Sequence, residues 1–171
     1  EARLGINIEQ EGSKLKALAV NADSDEEFAG YVYQFGAMLK DGHVGVRITN
    51  SPSGTQAYRI PIFVGVYEGK VLIDDIDEQL AKESGLSKGD EIIEVDGKAP
   101  LEYLPIISKY KNLATEKSNL TNIFRLFLRG SYMTDLVPQS PNANIKVKKV
   151  SEDGAVQTLD LPWTKVKYNA D

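Results

Sequence analysis

Gly85-Leu86-Ser87-Lys88-Gly89-Asp90-Glu91-Ile92-Ile93-Glu94-Val95-Asp96-Gly97-Lys98 is the stretch on which the fold turns. Gly85 and Gly89 stand where a chain needs positive φ, at a helix end and in a turn. Asp96-Gly97 follows the apolar residues Ile92, Ile93 and Val95 as a two-residue turn signal. A short helix, a turn, a strand and a second turn in succession read as binding scaffold rather than as chemistry.

Upstream, Asp77 to Ser84 holds good helix formers with acidic residues at the favourable N-terminal end, and Gly85 stops it. In Pro61 to Tyr67, Ile62, Val64 and Val66 fall on one face and Phe63, Gly65 and Tyr67 on the other. Glu68-Gly69 then turns the chain into Val71-Leu72-Ile73, which makes a hairpin. Downstream, Pro105 belongs in the first turn of a helix to about residue 113. A second helix is expected over about 117–129, with Leu120, Ile123, Phe124, Phe127 and Leu128 as its stripe and Gly130 as its stop. Ser131 to Asn144 reads as a long loop. Ile145 to Val150 and Val156 to Leu161 form a hairpin around Asp153-Gly154.

Toward the N-terminus, Ser24-Asp25-Glu26-Glu27 is a capping signal, and Phe28, Tyr31, Val32, Phe35, Met38 and Leu39 recur at helical spacing. A helix is expected over about 25–40 and another over Ile8 to Ala22, where Gly12 weakens the pattern. Asp41-Gly42 ends the second helix, Val44 to Ile48 alternates as a strand does, and Asn50 to Tyr58 reads as an exposed loop.

The chain has 171 residues, 42% of them hydrophobic, enough for a core. No apolar run approaches the roughly 20 residues that cross a bilayer, and residues 1–5 lack the features of a secretion signal, so no membrane span is expected. A net charge of -5 and the lack of a basic stripe argue against nucleic acid. With no cysteine, thiol catalysis and thiolate metal sites are excluded. Asp74, Asp75 and Asp77 read as a solvated strand end rather than a cation site, no phosphate loop is present, and neither metal nor cofactor is expected. Asn119-Leu120-Thr121 fits a glycosylation sequon but lies inside an expected helix.

The Gly-Leu-x-x-Gly-Asp-x-Ile-x-x-x-Asp-Gly pattern of residues 85–97 resembles the end of a bacterial PDZ domain. The implied fold class is α+β: a PDZ-like, partly open β-barrel or sandwich with two or three flanking helices, preceded by a small helical N-terminal segment. The implied organisation is a helical segment over 1–50 ending in a short strand, a PDZ-like domain over 58–162 with a helical insertion at about 105–130, and a tail over 163–171.

His43 is the only histidine. Its spacing alone reads first as a helix-end or exposed residue, with a general base as the other reading. Leu39-x-Asp41-Gly42-His43, after the Ser-x-x-Glu-Phe helix of 24–28 and before a PDZ pattern, resembles the N-terminal half of the C-terminal processing and tricorn-core serine peptidases. That resemblance implies that His43 is a catalytic base, that relatives work in the periplasm or cell envelope, and that a downstream domain supplies the serine. No Gly-x-Thr-x-Ser segment occurs up to Asp171. No Gly-x-Ser-x-Gly elbow is present, since Gly85-Leu86-Ser87-Lys88-Gly89 leads from a helix into a strand and not from a strand into a helix, and a base without a nucleophile cannot run acyl transfer. The expectation is therefore a peptide-binding piece of an exported peptidase, inactive by itself, whose partners are a polypeptide substrate or protein C-terminus and the catalytic domain of the full-length protein. A stand-alone, non-catalytic binding or scaffold module is the alternative.

The resemblance also places a peptide groove along Arg59, Ile60, Pro61, Ile62, Phe63 and Val64, opposite the helix beginning near Pro105. Pro61 has no amide to offer a terminal carboxylate, and Arg59 offers charge in its place, or is simply solvated.

Overall fold

A computed structural model describes residue 5 and residues 7–46, 56–150 and 154–167. Two helices open the chain, α1 (Ile8–Val20) and α2 (Asp25–Met38). Ser24 caps α2 by accepting the Glu27 amide at 3.1 Å, and Glu27 reaches back to accept the Asp23 amide at 2.8 Å. Of the strand expected over 44–48, residues 44–46 carry no strand and the remainder lies outside the described residues.

Among the described residues eight strands follow, interrupted by helices: β1 (Gln56–Arg59), β2 (Ile62–Tyr67), β3 (Lys70–Ile76), α3 (Glu78–Ser84), β4 (Glu91–Val95), α4 (Leu104–Tyr110), α5 (Glu116–Asn119), β5 (Leu128–Gly130), β6 (Asn142–Lys148), β7 (Val156–Pro162) and β8 (Thr164–Lys167). They make two open antiparallel sheets, one of five strands in the order β2-β3-β4-β6-β7 and one of three in the order β5-β1-β8. This is the α+β, PDZ-like architecture that the sequence implies. Ile73, Ile92, Val95, Ile145 and Val147 from the larger sheet meet Ile60, Ile107, Ile123, Leu126 and Phe127 in one core.

The Gly85–Lys98 stretch folds as read. Gly85 ends α3 at φ 70° and Gly89 turns at φ 91°. Asp96-Gly97 closes a tight turn in which Val95 and Lys98 exchange backbone bonds of 2.8 and 3.0 Å. Asp90 is fully buried: its carboxylate accepts the Ser87 and Val150 amides at 2.9 Å each and the Lys149 ammonium at 2.6 Å. Lys149 also donates to the Gly85 carbonyl, so one buried ion pair pins the end of α3 and the start of β4 to the end of β6.

Several expectations are corrected. The helix expected over 117–129 is one turn of α5, a 3-10 helix (Leu120–Leu126) and then β5. Within this segment the Thr121 hydroxyl donates to the Ser118 carbonyl at 2.7 Å, and Asn119 and Asn122 tie it back to the preceding loop, accepting the Leu113 amide at 2.7 Å and donating to the Lys111 carbonyl at 3.2 Å. Residues 56–58, read as loop, belong to β1, and residues 164–167, read as tail, form β8 beside it. In the stretch read as a long loop, Thr134–Leu136 forms a 3-10 turn and Asn142 already begins β6.

The N-terminal hairpin is seated on the sheets through α2. Tyr33 stacks on Tyr132 with ring centroids 3.8 Å apart, and Tyr110 meets Tyr132 edge-on at 6.2 Å. A Cβ at Gly30 would stand 2.8 Å from the Tyr132 carbonyl oxygen, so the glycine permits that approach.

Candidate functional site

β2 is an edge strand, paired only with β3 among the described residues. The hairpin between them closes through Glu68 and Gly69, both at positive φ (50° and 80°), the two-residue turn whose flanking pair, Tyr67 and Lys70, is hydrogen-bonded. Alternation then turns the N–H and C=O of Val66 and Val64 away from β3. Ile73, opposite Val64, agrees: its amide donates to Asp90 at 2.9 Å and its carbonyl accepts Gly89 at 2.8 Å, both on the far side. β2 therefore presents backbone donors and acceptors along an open edge.

On the outer face, the Tyr67 hydroxyl donates to Asp74 at 2.7 Å, a bond that raises the phenol above its usual range. The ring lies over Gly65, where a Cβ would come 2.8 Å from it and 2.5 Å from Asp74. Ile62 and Val64 point into the core, and Phe63 is 46% exposed.

The element that faces β2 is the 3-10 helix Leu120–Leu126, not the helix beginning near Pro105. That helix, α4, packs against α2 instead. Between β2 and the 3-10 helix lies a cavity of about 350 Å³ whose walls include Arg59, Ile60, Ile62, Phe63, Phe124 and Phe127. Four of the six expected groove residues thus line one cavity. Pro61 stands behind them, its carbonyl accepting the Asp77 amide at 3.0 Å, and Val64 is buried in the sheet.

At the mouth of the strand the backbone amides are spent. Ile60 donates to the Phe127 carbonyl at 3.0 Å, Ile62 donates to the Ile60 carbonyl at 2.7 Å, and Pro61 has no amide. The Arg59 guanidinium lies 5.8 Å from the centre of the Phe63 ring and has no carboxylate partner among the described residues.

His43 stands apart from this cavity, in the turn that follows α2. Its side chain is 99% exposed, and Nδ1 lies 3.0 Å from Asp41 Oδ1, the atom that also accepts the His43 amide at 2.9 Å. A carboxylate on Nδ1 favours the proton there and leaves Nε2 open to solvent, the arrangement a base needs if a nucleophile arrives from outside.

The sequence reading missed two positions. Arg129 is buried with its guanidinium 4.5 Å from the Trp163 ring centre, donating to the Leu126 and Leu136 carbonyls at 2.9 and 3.1 Å. Burial pulls its pKa down, against the fields of Tyr103 and Asp96. Phe124, which faces β2, was hidden in what read as an ordinary helical stripe. The acidic residues resolve into local bonds, with Asp77 capping α3 through the Gln79 and Leu80 amides. Among the described residues no cluster could hold a metal ion, and no helix is long and apolar enough to cross a membrane.

An open sheet edge beside a largely apolar cavity is the geometry of modules that take an extended chain as an added strand. Residues 55–169 match the profile of the PDZ domain, and the chain belongs to that family. Among solved structures it is similar to mature CPAF complexed with lactacystin, with a TM-score of 0.76 at 21% identity over 95% of this chain and 30% of that one. Mature CPAF alone gives a TM-score of 0.71 at 20% identity over the same shares. The chain therefore spans less than a third of those structures, and at such identity the likeness is one of fold. No curated protein sequence matches it.

Proposed function

We propose that this chain is the peptide-recruiting, PDZ-containing part of an exported serine peptidase of the processing or tricorn-like type. The observation that carries the reading is the open edge of β2 beside the Phe63–Phe124 cavity. An unstructured polypeptide lays itself along Val64 to Val66, and the module delivers it to a further domain of the full-length protein. His43 is the base in that assembly: its exposed Nε2 takes the proton of a serine that the other domain supplies, and Asp41 orients the ring. The resemblance of residues 39–43 and 85–98 supports the family, and export to the periplasm or cell envelope follows from the same resemblance.

Two measurements test the reading. Titrating this chain with reduced, carboxymethylated lactalbumin should move the amide resonances of Phe63, Val64 and Val66; unchanged resonances would remove the recruiting role. In the full-length protein, His43→Ala should slow casein cleavage by about 10²–10⁴-fold, the usual contribution of a general base. A wild-type rate would refute the assignment of His43.

A further inference from the structure

We propose that the β2 groove is blind to chain termini: it takes an internal extended segment, seating one apolar side chain in the cavity beside Phe124, without requiring a free carboxylate. This deepens the recruiting role proposed above and rests on it. The argument is an accounting of donors at the end of the groove where a terminal carboxylate would lie. Such an anion is held by several backbone amides acting together. Here the Ile60 amide is bonded to Phe127 at 3.0 Å, the Ile62 amide to Ile60 at 2.7 Å, and Pro61 has none.

The Ile60 bond cannot be lent to a ligand cheaply. It carries the β1–β5 pairing one residue further, joining the residue just after β1 to the residue just before β5, and Ile60 and Phe127 are both buried in the core. Arg59 and Lys167 are the cations that line this cavity, but both are exposed, Arg59 lies against Phe63, and each exposed ion pair changes an equilibrium by no more than about fivefold.

What remains unspent is the middle of the strand. The outward groups of Val64 and Val66 offer main-chain bonds that any extended segment satisfies, whether or not it ends there. The cavity walls are mostly apolar, with Ile60, Ile62, Phe124 and Phe127 among them. Affinity therefore comes from strand addition plus one buried side chain, both present in the interior of an unfolded polypeptide.

The test uses two libraries of random twelve-residue segments, one displayed at a free C-terminus and one held between two folded flanking domains. Binders are expected from both. The tightest free-ended binder is then remade with an amidated C-terminus, and Kd should change by less than tenfold, whereas N-methylation of alternate residues should weaken it more than tenfold. Arg59→Ala should change Kd by less than about fivefold with either end group. Loss of tenfold or more on amidation, or binders from the free-ended library alone, would overturn the inference and leave peptide recruitment standing. If no segment from either library moves the Val64 and Val66 amides, peptide recruitment itself fails.

Discussion

Replacing Lys149 with methionine isolates the contribution of the buried ion pair to the scaffold. The substitution keeps the length and apolar stem of the side chain but removes the ammonium that sits 2.6 Å from Asp90 Oδ2 and also binds the Gly85 carbonyl. Asp90, with no exposed surface, then keeps the Ser87 and Val150 amides and loses its countercharge. Removing one partner of a buried pair costs about 3–5 kcal/mol, and the two surviving amides place this case at the lower end, about 3 kcal/mol. For a chain of this size that corresponds to a fall in Tm of about 6–12 °C. Urea denaturation followed by circular dichroism reads the free energy directly. Asp90→Asn with Lys149→Met leaves no buried charge, and it should be more stable than Lys149→Met alone by more than about 1 kcal/mol. A loss below about 1 kcal/mol for Lys149→Met, or additivity in the double variant, would refute the reasoning.

Two further outcomes follow from the N-terminal hairpin. The Glu27 carboxyl is held below its ordinary value of 4.5, first by the Asp23 amide and then by the Tyr31 hydroxyl. A depressed folded-state pKa gives stability that is complete above the ordinary value and lost as pH falls through the folded one. Glu27→Gln should therefore flatten the acid limb of α2 unfolding, measured by amide exchange between pH 5 and 3, and an unchanged limb would count against the cap. Tyr132→Ala removes the ring stacked on Tyr33 and met by Tyr110, and large aromatic truncations in a core cost about 3–5 kcal/mol. It should make α2 sensitive to limited proteolysis before the sheets are, whereas simultaneous cleavage would show that α2 is not separately seated.

Local signals were legible in the sequence and long-range ones were not. The Ser24–Glu27 cap, the Glu68-Gly69 hairpin and the Gly85–Gly97 succession each depend on residues a few positions apart, and each formed where it was read. β1, β5 and β8 are three or four residues long, and their partners are distant in the chain, so no period could reveal them. The segment 120–126 carried a stripe with α-helical spacing, and nothing in that spacing announces the bonds by which Asn119 and Asn122 tie it back to residues 111–113. The candidate site divided in the same way. Its strand was visible from alternation, but the facing wall was assigned to the wrong helix. The spent amide at Ile60 depends on Phe127, a contact that no local pattern announces.

An edge left open for guests is open to copies of the chain as well. The same Val64 and Val66 groups that would receive a polypeptide match the unsatisfied edge of a second molecule, and exposed Phe63 and Tyr67 add apolar surface beside them. β2 is only six residues long, and its register slips between Phe63 and Val64, which shortens the straight run that a copy can zip against. Strand length thus sets a compromise between hospitality and self-association. A change that smoothed the bulge would strengthen guest and copy together, and the cost would appear as aggregation.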